Sequence, residues 1–161
     1  MKKLFLILTS LVLFNVSCKK EDLVASEGDV IKANVSTSES EFAGLIAARE
    51  NYQGEHFEIT DIKRAENILK ITVEGPCDTE GYNVVWDGTV NYSEPPIAKI
   101  VVNYSSKYEV QCLAIMRRTI EVDLKEAFGN KYVENMIVEI SNASKVQDYQ
   151  IDRKGVTKRK N

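Results

Sequence analysis

The chain has 161 residues, 21 Lys and Arg against 24 Asp and Glu, one histidine and three cysteines, for a net charge of −3. A mildly acidic balance argues against nucleic acid as a partner, since such binders carry a concentrated basic face. One histidine and three scattered cysteines also lack the close ligand spacing of a zinc site.

The N-terminus is the most informative stretch. Met1-Lys2-Lys3 precedes an apolar run of 13 residues, Leu4–Val16, then Ser17 and Cys18. A charged start, a short apolar segment and a small residue form a secretory signal. The run falls short of the roughly 20 apolar residues of a membrane-spanning helix. A cysteine directly after the small residue marks a lipoprotein signal, so residues 1–17 are expected to be removed and Cys18 to carry lipid. Ordinary signal cleavage beside an incidental cysteine is the alternative. Several acyl chains, each contributing about 0.8 kcal/mol per buried methylene, would hold the protein at a membrane. The mature chain keeps 144 residues and loses two lysines, which takes its charge to −5. That length suits one domain with a core of its own.

Residues 18–34 are polar and poor in aromatics and read as a lipidated tether. Residues 35–151 read as the domain. Ser38 with Glu41 forms a capping-box pattern. Phe42, Leu45, Ile46 and Arg49 follow it at helical spacing, so a short helix is expected over Ser40–Asn51. From Phe57 the period becomes two. Strands are expected around Phe57–Asp61, Ile68–Val73, Tyr82–Trp86 and Ile97–Asn103, then through Val110, Cys112, Ala114 and Met116, through Ile120, Val122 and Leu124, and through Met136, Val138 and Ile140. Ala65-Glu66-Asn67 reads as a hairpin turn and Asp87-Gly88 as a two-residue turn. Short alternating strands with frequent turn signals predict a mainly β chain, an antiparallel sandwich of Ig-like architecture. Residues 152–161 carry Arg153, Lys154, Lys158, Arg159 and Lys160 and read as a basic flexible tail, or else as a weak anchor to anionic lipid or polysaccharide.

In an oxidising envelope the two cysteines left after lipidation, Cys77 and Cys112, are expected to pair. The bridge would close a loop of 34 intervening residues, about 3–4 kcal/mol of stabilisation in the chain-entropy model.

Ser17-Cys18-Lys19-Lys20-Glu21-Asp22 resembles the processed start of lipoproteins of Bacteroidota such as flavobacteria, with Asn15 standing where leucine is usual. Lys20-Glu21-Asp22 looks like the export signal of that phylum, which implies an outer-membrane address and display on the cell surface. The stretch from Phe57 to Leu124 resembles a group of small uncharacterised lipoproteins of the same phylum. Its landmarks are Cys77, Tyr82–Trp86, Ser93 with Pro95, Cys112 and Asp123-Leu124. Gly75-Pro76 replaces the usual glycine pair, and no histidine follows Cys77. The resemblance implies a disulfide-bearing β-domain and brings no activity with it.

No motif for catalysis stands out. There is no Gly-x-Ser-x-Gly elbow, no calcium loop and no phosphate-cradling glycine loop, and one histidine leaves little choice of base. No cofactor, metal ligand or catalytic residue is therefore assigned. Asp78 with Glu80, and Glu121 with Asp123, share strand faces as a calcium or acid–base pair would, and as ordinary solvent-facing charges do. Trp86 reads as core packing or as a sugar-stacking platform. Tyr104 and Tyr108 flank Ser105-Ser106-Lys107 either as a cross-strand aromatic pair or as a binding loop of tyrosine and serine. The expectation is a non-catalytic envelope module that binds a protein or glycan, with an envelope enzyme or an inhibitor as the alternative.

Overall fold

The computed structural model describes residues 29–106, 114–129 and 133–160. The chain is mainly β and folds as two stacked sheets with one covering helix. Strands β1 (Val30–Lys32), β3 (Glu58–Ala65), β4 (Ile68–Pro76) and β7 (Ile115–Asp123) make the smaller sheet in the order β1-β7-β4-β3. Strands β2 (Val35–Thr37), β5 (Tyr82–Asn91), β6 (Ile97–Tyr104), β8 (Ile137–Asn142), β9 (Asp148–Ile151) and β10 (Thr157–Lys160) make the larger, in the order β10-β9-β8-β6-β5-β2.

Alternation dictates the core. Leu69, Ile71 and Val73 of β4 and Ile120 and Val122 of β7 point inward. They meet Val84 of β5, Ile100 and Val102 of β6, and Ile140 of β8, all fully buried. Each such side chain contributes about 1.5–3 kcal/mol through burial. The other face of the larger sheet is covered by α1 (Glu39–Ala48), whose Phe42, Leu45 and Ile46 pack on Val85, Val101 and Ala143. Ser38 caps this helix as its sequence predicts, Oγ accepting from the Glu41 N–H at 3.2 Å. The helix runs one residue earlier than expected and ends in a single 3₁₀ turn, Arg49–Asn51.

Several expectations are corrected. The sheets are mixed: β1 pairs β7, β2 pairs β5 and β6 pairs β8 in parallel, unlike the antiparallel sheets of an Ig domain. Part of the expected tether belongs to the fold, because Val30–Lys32 adds to the edge of the smaller sheet. The expected basic tail is not loose either, since Thr157–Lys160 pairs antiparallel with β9. Asp87-Gly88 does not turn a hairpin. The strand runs through it, and the register slips between Trp86 and Val90. Gly88 supplies the positive φ of 83° at this bulge, a conformation only glycine adopts cheaply. Ala65-Glu66-Asn67 does turn the β3–β4 hairpin. Finally, Ala114 and Met116 are exposed and do not continue the inward face of β7. Val110 and Cys112, expected on that strand, lie outside the described residues.

Candidate binding site

One end of the sandwich, where β1 and β5 begin, carries the least satisfied polar groups. The β7 alternation that buries Ile120 and Val122 also turns Arg118 inward. Its residue surface is only 7% exposed. The guanidinium donates through Nη1 to the Arg117 carbonyl at 3.2 Å. Its carboxylate partner is Asp29, 3.7 Å away on a side chain that is 76% exposed. The Arg118 Nε has no hydrogen-bond partner. Buried arginine is normally well paired, because an uncompensated charge in a dry site is costly.

Tyr82 faces it from β5. Its ring meets Phe57 edge-on at 5.6 Å and Tyr104 at 4.8 Å. Its hydroxyl is buried and unpartnered. Burial pushes this phenol well above its ordinary pKa; Tyr104 and Glu55 push it further, while the Arg118 charge pulls the other way. Gly75 makes the approach feasible. A Cβ there would sit 2.6 Å from the Tyr82 hydroxyl and 2.5 Å from the Phe57 Cβ. Tyr82 also lines a groove of about 530 Å³, together with Asp29, Val30, Lys32, Thr79 and Glu80.

A second cleft, of about 500 Å³, is lined in part by the histidine. His56 is exposed and packs edge-on to Tyr52 at 5.3 Å. The carboxylates beside it are committed. Glu58 accepts from Lys145 at 2.9 Å, and Glu74 accepts from two nitrogens of Arg117. Glu55 lies near Tyr52, Tyr82 and Tyr104 and raises the pKa of each, after burial, the largest cause in all three.

The residues singled out from sequence fall in different places. Cys18, Cys112 and Tyr108 lie outside the described residues. Cys77 follows β4 directly, half-buried. Tyr104 is not an exposed loop aromatic. It ends β6 at 4% exposure, stacked on Tyr82, and its carbonyl accepts from the Tyr52 hydroxyl at 3.2 Å. Trp86 is half-buried and edge-on to Phe128 at 5.0 Å, and its indole N–H donates to the Thr89 carbonyl at 3.1 Å. It therefore packs inside the β5 bulge, as the core reading expects. Asp123 is a helix cap. Its Oδ1 accepts from the Lys125 and Glu126 N–H groups at the start of α2 (Leu124–Phe128) and from Asn67. Glu121 faces Lys70 at 3.7 Å. Asp78 Oδ1 accepts from the Glu80 N–H, forming a turn. Among the described residues no three potential metal ligands converge.

Arg118 and Tyr82 escaped the sequence reading as a pair. Arg118 had a signal, because it shares parity with Ile120, Val122 and Leu124 on one strand face. Its meeting with Tyr82 is set by how the two sheets stack. No family model, no curated protein and no solved structure matches this chain.

Proposed function

We propose that this chain is a lipid-anchored protein of the bacterial outer membrane that works by binding, with the groove lined by Val30, Lys32, Glu80 and Tyr82 as its binding end. The anchor rests on the order of the charged start, the short apolar run, Ser17 and Cys18. The observation that carries the binding role is this open groove of about 530 Å³, lined by Tyr82, whose buried hydroxyl has no hydrogen-bond partner. A concave surface with a few placed polar groups, here Asp29, Lys32, Thr79 and Glu80, is what a specific polar ligand requires.

Two experiments test it. Cys18→Ala should move the protein from the membrane fraction to the soluble one. A wild type that is already soluble, with an N-terminus other than Cys18, overturns the anchor. Solubilised envelope passed over immobilised wild type and over a Lys32→Ala, Tyr82→Phe variant tests the groove. Material retained by the wild type and lost by the variant supports it, and equal retention by both overturns it.

A further inference from the structure

The charge of the chain is unevenly laid out. Residues 152–160 hold five cations and one carboxylate, a net +4, so the rest of the mature chain carries −9. Such asymmetry points to a charged surface as a partner. The fold gathers these cations along one edge. β10 is the terminal strand of the larger sheet and is exposed throughout. Its register sets Lys158 beside Gln150, in one row with Glu139 and Lys99 on the outer face of the sheet. Lys160 shares that face and donates to Glu139 at 2.7 Å. Arg159 shares the opposite face with Thr157, whose hydroxyl donates to the Ile62 carbonyl of the smaller sheet at 3.2 Å. Arg153 and Lys154 stand in the turn before β10. Asp152 builds that turn, its Oδ1 accepting from the Lys154 and Val156 N–H groups at 2.8 and 2.9 Å. The turn leaves Val156 50% exposed between cations.

We propose that this edge, through Arg153, Lys154, Val156, Lys158 and Arg159, rests on the anionic lipid surface to which Cys18 tethers the chain, a role separate from the groove that rests on the lipid anchor above. The cations lie on both faces of a strand and in the turn before it. They do not converge on one anion and instead suit a spread of headgroup phosphates. Val156 adds an apolar tip among the charges, as a segment lying in a headgroup layer requires. Lysine on an edge strand also keeps strands from pairing, but Arg153, Lys154 and Val156 lie outside the ladder, where that protection has no use. The reach is sufficient as well. β10 lies against β3, at the edge of the sandwich opposite β1. The six strands of the larger sheet span about 24 Å. The 11 residues Cys18–Gly28 extend to about 36–40 Å, so a chain anchored at Cys18 is long enough to set its far edge on the same membrane.

The test uses the mature chain carrying Cys18→Ala, which has no lipid of its own, sedimented with vesicles. The probes are vesicles of phosphatidylcholine alone, vesicles of three parts phosphatidylcholine to one part phosphatidylglycerol, and soluble alginate. The chain should bind the anionic vesicles and not the neutral ones, and raising salt from about 0.05 M to about 0.5 M should abolish binding, since exposed charges are screened. Lys158→Gln with Arg159→Gln should weaken binding about 25-fold, about fivefold for each charge near the surface. Arg153→Gln with Lys154→Gln, outside the ladder, should do the same without touching strand pairing. Lys70→Gln with Lys125→Gln, the same charge change away from this edge, should weaken binding less than fivefold. An equal loss in that control overturns the proposal in favour of net charge alone. Equal binding to neutral vesicles overturns it, as does no binding to anionic ones. Alginate bound as tightly as the anionic vesicles overturns it in favour of a polysaccharide. If the wild type stays in the membrane fraction while the Cys18→Ala chain ignores anionic vesicles, the anchor stands and only the role of this edge is wrong.

Discussion

Gln147 pairs with the backbone of Ile59 as though its side chain were a strand. Its Oε1 accepts from the Ile59 N–H at 3.0 Å and its Nε2 donates to the Ile59 carbonyl at 2.9 Å. Ile59 lies at the bulge of β3, the edge strand of the smaller sheet, while Gln147 lies before β9 of the larger one. The amide therefore closes an edge and ties the sheets together. Asn142 and Ser144 extend the tie by donating to the Phe57 carbonyl at 2.9 and 3.1 Å. All three side chains are buried, and the set is mutually satisfied, which rigidifies a core.

Gln147→Leu should accordingly destabilise the domain by about 1–3 kcal/mol. The Ile59 N–H would be buried without a partner, whereas the Ile59 carbonyl would keep the Tyr149 hydroxyl at 3.1 Å. Urea unfolding followed by circular dichroism checks this. An unchanged midpoint would show that the amide pair contributes nothing net.

Arg64 is the second buried tie. Its guanidinium donates to the Glu66, Met136 and Val133 carbonyls at 3.0, 2.5 and 2.6 Å. Burial lowers its pKa, and Asp152 partly restores it. Arg64→Met should cost about 2–4 kcal/mol, since two buried carbonyls lose their donors together. Arg64→Lys should recover only part of this, because an ammonium does not reproduce the planar fork. Full recovery by lysine in thermal unfolding would show that charge alone matters.

How far the fold was legible follows from what each strand writes into the sequence. β4 and β7 declare themselves because one face meets the core and the other meets water, so Leu69-Ile71-Val73 and Ile120-Val122 alternate cleanly. β1 leaves no period in three residues, and Thr157–Lys160 is exposed throughout, so neither carries a hydrophobic signal. Strand partners are not written in alternation at all. Val138 and Ile140 would look the same beside β6 in either direction, and the parallel pairing emerges only from the path of the chain. The tie at Asn142 was readable in part, since Asn142 continues the inward parity of Val138 and Ile140. Tyr104 could be read two ways because aromatic residues at a strand end serve burial and binding alike.

Cys77 and Cys112 are expected to form one intramolecular disulfide. Cys77 follows Pro76, which faces Ile115 across β4 and β7, and it is not a free side chain. Cys112 is two residues before Ala114, so chain connectivity keeps it within about 7.6 Å of that residue. A bridge requiring Cα atoms within about 7 Å is within reach. Thiol titration of the unreduced, denatured mature chain should find none. Two free thiols would end the idea. Replacing both cysteines by serine should cost about 3–4 kcal/mol by loop entropy.

Acid should weaken the domain through two carboxylates. Asp123 is held below the usual carboxylate range first by the Glu126 N–H and next by Asn67. Asp148 is pushed up by burial, but the Arg49 and Ser141 hydrogen bonds outweigh this and hold it low. Arg49 Nη1 meets Asp148 Oδ1 at 2.5 Å, joining the turn after α1 to β9. A carboxylate whose folded pKa is depressed stabilises above its unfolded value, near about 4, and loses that contribution as pH falls through the folded value. Stability should therefore be flat above about pH 5 and decline below about pH 4. Asp148→Asn should cost about 1.5–3 kcal/mol at pH 7, the range for a hydrogen bond to a charged group. As pH falls through the depressed folded value and the wild-type carboxyl takes up its proton, the two proteins should converge. A gap that stays constant from pH 7 to pH 2 would show that the loss comes from packing and not from the charge on Asp148.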